Sequence, residues 1–277
     1  MSICLVLIVK NESKFIEQCL ESAKPLISSW SIVDTGSTDD TKTLIRKALK
    51  GIPGKLHERV FRDFGYNRTE ALKLARGTSD WLLELDADMT VDFHPGLLAW
   101  LSGDPDPDTA AWMVDILDSG TRWQLPRLIR GNLDWQYIGP VHEYLDPAGR
   151  KRRPILGLTL QHHGSSRHPI QKFDHYLSLL KPGLEAGDPR AVFYSAECLR
   201  FLGCTPEAIQ LYRQRETMDS FEEEAWYAGY MAAKLSGDTH RLIEMWAKRP
   251  WRPEPLWAAA DIVRNIPHDD VLFLEQR

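Results

Sequence analysis

An open, mostly parallel α/β sheet followed by an all-helical region is the architecture expected from three observations. Between residues 3 and 88, four short apolar stretches alternate with three stretches of helical spacing. Such alternation builds a doubly wound sheet, whose ligands sit at the carboxyl ends of the strands. The run Ile3 to Val9 is continuously apolar, which suits a strand covered on both faces. Beyond residue 166 the composition shifts to helix, with apolar and aromatic residues returning after 31 to 33 residues.

Ile3 to Val9 is therefore the first strand. A helix follows, because Phe15, Ile16, Cys19, Leu20 and Ala23 fall on one helical face; Asn11 or Ser13 caps it and Pro25 stops it. Trp30 to Asp34 reads as a short strand and Thr35 to Asp40 as a small polar turn. Thr41 to Leu49 is the next helix, with Leu44, Ile45, Ala48 and Leu49 on its inner face. The break at Gly51 to Gly54 predicts a third strand near Leu56 to Phe61, then a helix over Asn67 to Arg76. Trp81 to Leu85 is a buried-type strand that ends in Asp86, Ala87 and Asp88. After a Pro/Asp-rich loop at Asp104 to Asp108, residues 110 to 165 mix short strands and turns. The expected domains are thus 1–165 and 166–277. Within the second, Phe193 to Tyr212 is echoed at Trp226, Tyr227, Leu235 and Leu242, and again near Trp257. Helix pairs of tetratricopeptide type explain that period, and an ordinary helical subdomain is the alternative.

The 277 residues are 43% hydrophobic and 26% charged, which allows a sizeable core and excludes disorder as the main state. The longest apolar run is seven residues against the roughly 20 of a membrane-spanning helix, and no signal-peptide pattern is present. A soluble cytoplasmic protein is expected. Net charge is −5, divided as −2 before residue 166 and −3 after it, so neither half is a general nucleic-acid glove. Cys4, Cys19, Cys198 and Cys204 show no zinc-binding spacing and read as thiols in a reducing compartment.

Two clusters carry chemistry. Asp86 and Asp88 lie one residue apart at a strand end, so they share a side and offer hard oxygens to Mg²⁺ or Mn²⁺ bridging to phosphates; solvated loop carboxylates are the plain alternative. In Val33 to Thr41, Asp34 sits at a strand end where it can accept from a nucleobase or ribose. Gly36 and the Ser37 and Thr38 hydroxyls permit close approach, while Thr38 or Asp39 also suits a helix cap.

Four segments then share a pattern: Leu7-Ile8-Val9-Lys10-Asn11-Glu12, Ile32 through Asp39, Asn67-Arg68 with Glu70-Ala71-Leu72, and Trp81 through Asp88. In that order they resemble the family 2 glycosyltransferases. The resemblance implies a GT-A fold (Rossmann-like), a nucleotide-diphosphate sugar donor, UDP-sugar first, and Mn²⁺ or Mg²⁺. It extends through Arg127-Leu128-Ile129-Arg130, Tyr137 to Glu143, and His162-His163-Gly164 to a bacterial subgroup with a helical C-terminal extension, which includes peptide S-glycosyltransferases. It implies that Val9, Lys10, Asn11 and Glu12 wall the donor pocket and that Asp34, with Gly36 and Ser37, contacts the base. It places Arg68 at the base or the phosphates, unless Arg68 is a surface salt-bridge residue. Asp86, beside Ala87, meets the ribose or the metal, and Asp88 meets the metal. Glu143 is the candidate base, since inverting displacement needs one carboxylate to take the acceptor proton; pairing with His142 or an arginine of 150–153 is the alternative. His162 or His163 reaches the metal or the diphosphate. Met89 and Ser165 depart from the family's usual residues.

The activity expected is metal-dependent transfer, with inversion, to a peptide, protein or glycan. A hydroxymethylated base in DNA is a second acceptor, with Arg150 to Arg153 holding phosphates if that run is not a solvated hairpin. Trp123 and Trp135 stack on sugars or pack in the core. A nucleotidyl transferase or sugar-nucleotide hydrolase and a non-catalytic helical-repeat adaptor are the competing functions. An oligomer through the C-terminal helices is compatible with the pattern.

Overall fold

The computed structural model describes residues 1–103, 106–146, 150–164 and 170–264. The chain divides into two compact units, Met1–Arg167 and His168–Arg277. Ser165 and the expected 165/166 boundary lie outside the described residues.

The first unit runs β1 (Ile3–Val9), α1 (Ile16–Ala23), β2 (Ser29–Asp34), α2 (Thr41–Ala48), β3 (Gly54–Glu58), α3 (Phe64–Ala75), β4 (Trp81–Glu84), β5 (Met89–Phe93), α4 (Leu97–Ser102), β6 (Ala111–Asp118), β7 (Thr121–Arg130), β8 (Tyr137–Ile138), β9 (Tyr144–Leu145) and β10 (Arg152–His162). One eight-stranded sheet has the order β3-β2-β1-β4-β7-β6-β10-β5. Its first four strands are parallel, β7 runs antiparallel between β4 and β6, β10 is parallel to β6, and β5 closes the edge antiparallel to β10. β8 and β9 form a separate two-stranded pair.

The apolar run of β1 sits between two cores. Ile3, Leu5, Leu7 and Val9 pack with Ile16, Leu20, Ile45 and Leu83 on one face. Cys4 and Val6, with Ile8 against them, pack with Ala71, Leu72, Leu82 and Ile129 on the other. Each such side chain contributes about 1.5–3 kcal/mol when fully buried, so a central strand with two covered faces anchors the unit. Its carboxyl end is held where the chain emerges.

Several expected boundaries are corrected. The third strand begins at Gly54, not Leu56, because β3 pairs with β2 from Gly54 opposite Trp30. A Cβ on Gly54 would lie 2.4 Å from the Trp30 ring, so only glycine lets the strand start there. α3 begins at Phe64 rather than Asn67, since Asp63 caps it by accepting from the Tyr66 N–H at 2.7 Å. Neither Asn11 nor Ser13 caps α1, whose N-cap is Phe15 without a side-chain bond. Asn11 instead adopts φ 57° and its Oδ1 accepts from Thr38 N–H at 2.8 Å. Trp135 is a core residue, 2% exposed, donating from Nε1 to the Arg130 carbonyl at 2.9 Å, so stacking on a sugar does not describe it.

The second unit holds α5 (Ile170–Glu185), α6 (Pro189–Phe201), α7 (Thr205–Glu216), α8 (Glu222–Ser236), α9 (Thr239–Lys248) and α10 (Glu254–Arg264). Phe193, Ala208, Tyr212, Tyr230, Met231, Leu242 and Met245 share its core. Gly203 and Gly237, at φ 80° and 72°, turn the chain at corresponding places after α6 and α8, where glycine enters the left-handed region without a Cβ penalty. Among the described residues no helix is long and apolar enough to cross a membrane.

Candidate active site

The carboxyl ends of β1, β2 and β4, with the end of β10, bring most of the expected residues together. The loop after β1 is sewn to the turn after β2 by side chains. Asn11 N–H donates to Ser37 Oγ at 2.9 Å, Glu12 N–H to Thr41 Oγ1 at 2.8 Å, and Ser13 N–H to Asp39 Oδ2 at 3.1 Å. Asp34 is fully buried; its Oδ1 accepts from the Gly36 and Ser37 N–H groups at 3.0 and 2.9 Å, while Oδ2 has no partner among the described residues. A buried carboxylate with one satisfied and one unpartnered oxygen has acceptor capacity left over. Gly36 has φ 107° with open space, among the described residues, where a Cβ would stand. Asp39 is held below the usual carboxylate range, chiefly by the Thr41 hydroxyl.

The charged centre lies beside this wall. Asp86 accepts from Arg68 Nη2 on one oxygen and from Arg127 Nη2 on the other, the latter at 2.9 Å. Burial opposes the Asp86 carboxylate, yet the two guanidiniums outweigh it and hold the group well below its ordinary range. Arg68 Nε also donates to Glu143 Oε1 at 2.6 Å, so one guanidinium bridges the strand-end carboxylate and the candidate base. The Arg68 side chain, 13% exposed, thus lies within this charged cluster rather than in a surface ion pair. Beneath them Glu84, 2% exposed in β4, accepts from Tyr137 Oη at 3.0 Å and is raised by burial. His142, which precedes Glu143, sits at φ 49°, a conformation rare outside glycine and frequent where a site constrains the chain.

Glu84, Tyr137 and Arg127 join this cluster without a role expected from the sequence. Glu84 had a signal, a carboxylate inside an otherwise apolar strand. Arg127 lay in a quoted motif, but its aim depends on the sheet. The β6–β7 register skips between the pairs Trp112–Leu128 and Met113–Pro126, which leaves Arg127 as the extra residue of a bulge. Bulges re-aim side chains next to sites, and this one turns Arg127 to Asp86. Its Nε and one terminal nitrogen remain buried without a partner among the described residues.

Asp88 and His162 form the other half. His162 Nε2 lies 3.1 Å from Asp88 Oδ2, and the His163 N–H donates to the Asp88 carbonyl at 2.7 Å. His163 itself is exposed and its ring bonds Thr90 Oγ1 at 2.7 Å, away from Asp88. Of the two adjacent histidines, His162 is the one the register of β10 brings to the carboxylate. Gly164 closes over the pair: a Cβ there would stand 2.3 Å from Asp88 Oδ2 and 2.8 Å from His162 Nε2. Glu12 feels this charge. Burial and then Asp88, Asp39 and Asp86 raise its carboxyl to about 7. Lys10 is exposed, whereas Val9 and Ala87 are buried in the core.

Among the described residues no three His, Cys, Asp or Glu side chains form a metal-holding group. Mg²⁺ and Mn²⁺ do not require one when substrate phosphates complete the shell. Neighbouring ligands of an octahedral ion at about 2.1 Å are roughly 3.0 Å apart, and the 3.1 Å between Asp88 and His162 matches that edge. With Glu12 already crowded by carboxylates, this donor set fits a divalent ion shared with a diphosphate. Asp86, with both oxygens on guanidiniums, is not arranged as a ligand in this structure.

Arg150 to Arg153 are engaged within the chain. Arg150 donates to the Asp134 carbonyl, Lys151 pairs with Asp106 at 3.2 Å, Arg152 donates to the Leu145 carbonyl, and Arg153 pairs with Asp106. Trp123 is 39% exposed on β7.

The model of the family described as glycosyl transferase family 2 matches residues 4–161. A TPR repeat-containing protein of Synechococcus elongatus is 28% identical over 186 residues, covering 61% of this chain and 44% of that protein. The SPbeta prophage-derived glycosyltransferase SunS of Bacillus subtilis is 38% identical over 82 residues, 30% of this chain and 19% of that one. The chain therefore spans less than half the length of the curated relatives it matches. Among solved structures, residues 1–349 of S. aureus TarS in complex with UDP-GlcNAc align with a TM-score of 0.53 at 15% identity, over 90% of this chain and 92% of that one. That likeness shows the fold, a GT-A arrangement followed by a helical region.

Proposed function

Because this chain belongs to glycosyl transferase family 2, we propose that it moves a sugar from a nucleoside-diphosphate donor to an acceptor nucleophile with inversion, using Mn²⁺ or Mg²⁺. The observation that carries the reading is the convergence, at one end of the sheet, of the unpartnered Asp34 oxygen, the Asp88–His162 pair and the Arg68-bridged Glu143. Uracil is the base to expect first, since TarS was crystallised in complex with UDP-GlcNAc.

In this reading Asp34 accepts from the base or ribose in the slot between the loop after β1 and the turn after β2. Arg68 and Arg127 hold Asp86 as an acceptor for the ribose. Glu143 takes the acceptor's proton as the nucleophile bonds to the anomeric carbon and the bond from that carbon to the diphosphate oxygen breaks. The electron pair leaves with the nucleoside diphosphate, the point of greatest electrostatic need. Asp88 and His162 would hold the metal, which would supply positive charge there. The helical unit serves as a tetratricopeptide-like platform for a peptide or glycan acceptor. The engagement of Arg150 to Arg153 within the chain disfavours the DNA acceptor. Cys4, Cys19 and Cys198, all free and buried, suit a cytoplasmic location.

Incubation with a panel of nucleotide sugars, with peptide and glycan acceptors, tests this by chromatography of the released nucleotide. The expected product is UDP, lost with chelator, with Asp88→Ala and with Glu143→Gln. UMP would indicate attack on phosphorus. Absence of both turnover and nucleotide binding would favour the adaptor.

A further inference from the structure

We propose that Asp118 is a positioning residue that fixes His162, a role that rests on the reading of Asp88 and His162 as the metal-side pair. His162 lies between two carboxylates. Nε2 faces Asp88 Oδ2 at 3.1 Å, and Nδ1 faces Asp118 Oδ2 at 3.2 Å, close but off the hydrogen-bond axis. Nδ1 is otherwise buried without a partner among the described residues, so Asp118 is the group that can satisfy it.

The sheet places Asp118 by construction. β10 and β6 are parallel with Gln161 opposite Leu117, so the next pair outward is His162 and Asp118. Gln161 Nε2 fastens that register by donating to the Leu117 carbonyl at 3.1 Å. The β6–β7 hairpin turns at Ser119 and Gly120, at φ 46° and 88°; two consecutive positive values are those of a tight primed turn, which follows strand twist. Asp118 and Thr121 close it as a cross-strand pair. Ser119 Oγ donates to Asp118 Oδ1 at 2.9 Å and Thr121 Oγ1 to the Asp118 carbonyl at 2.6 Å. One carboxylate oxygen is thereby held by the turn and the other is left for the imidazole.

The chemical consequence is a choice of nitrogen. A proton on Nδ1 directed at Asp118 leaves the Nε2 lone pair beside Asp88, where a shared cation is required. Carboxylate partners of this kind set the tautomer and raise the donor strength of a ligating histidine. Asp118 touches neither donor nor acceptor in this account; it acts through His162.

Two measurements test it. In the metal-free chain the ¹⁵N shifts of His162, assigned with His162→Gln, are expected to show a proton on Nδ1 in wild type and Asp118→Asn but not in Asp118→Ala, whatever the state of Nε2. Mn²⁺ affinity in the presence of UDP is expected to fall roughly 10- to 100-fold in Asp118→Ala and less in Asp118→Asn. The effect of Asp118→Ala should vanish in a His162→Gln background, a coupling that general loosening of the hairpin would not produce. An unprotonated Nδ1 in wild type, or an equal loss with and without His162, overturns the proposal. Failure of wild type to bind Mn²⁺ with UDP would sink the functional reading, while the ¹⁵N result still decides the role of Asp118.

Discussion

Replacing Glu12 by glutamine should stabilise the first unit at pH 8 and do little at pH 5. Glu12 is half-buried among Asp88, Asp39 and Asp86, and its carboxyl is raised from the ordinary 4.5 to about 7. The folded chain therefore holds this proton more tightly than the unfolded chain does. Stability from that proton is full below pH 4.5 and is lost as pH rises through 7, because above 7 the folded state must carry the charge. At 1.36 kcal/mol per pH unit the interval corresponds to roughly 3 kcal/mol, and solvent screening at a half-exposed group reduces it to about 1 kcal/mol. Glutamine keeps the size and removes the charge, so it recovers about 1 kcal/mol at pH 8. At pH 5 wild-type Glu12 is already protonated and most of the gain disappears. Urea unfolding followed by tryptophan fluorescence at the two pH values measures the difference from the shift in midpoint. A gain of equal size at both values, or a loss at pH 8, would refute the carboxylate-crowding argument. Added Mn²⁺ with UDP should narrow the gap at pH 8, because a cation relieves the same repulsion.

Gly164→Ala places a Cβ 2.3 Å from Asp88 Oδ2; it should weaken Mn²⁺-dependent UDP binding at least tenfold by titration, with the far-ultraviolet spectrum unchanged. Arg127→Met leaves one Asp86 oxygen without its donor and removes the first of the two guanidiniums that offset the burial of Glu84, Arg68 remaining. It should cost about 2 kcal/mol in urea unfolding and also weaken nucleotide binding, whereas unchanged binding would place Arg127 outside the donor site. Gly237→Ala, at φ 72° with open space around the added methyl, should cost about 1 kcal/mol of strain alone. The loss should appear in the unfolding of the helical unit and leave UDP binding intact.

The parallel half of the sheet was legible because each strand announces itself. Ile3 to Val9 must be covered on both faces, and Trp81 to Leu85 hands its end directly to Asp86 and Asp88. The antiparallel half was not, since the position of β5 at the far edge and of β7 beside β4 follows from pairings distant in sequence. The same limit governs the site. Asp86 and Glu143 carry visible chemistry, but the partners that define them come from 18 and 75 residues away through Arg68 and from 41 through Arg127. His162 and His163 are equivalent as text and become distinct only when β10 pairs with β6 and the Asp88 carbonyl takes the His163 N–H. Asn11 shows a subtler failure. As a short polar residue before a helix it suits a cap, yet the turn after β2 uses its side chain, and the helix starts without one.

The most direct measurement is calorimetric titration of UDP into the wild-type chain and Asp88→Asn, each with and without Mn²⁺. The account predicts that Mn²⁺ tightens UDP binding at least tenfold in wild type and has no such effect in Asp88→Asn, with equal thermal stability of the two unliganded proteins. UDP binding that is indifferent to Mn²⁺ in wild type, or equally enhanced in the variant, would contradict a donor diphosphate held through a metal on Asp88.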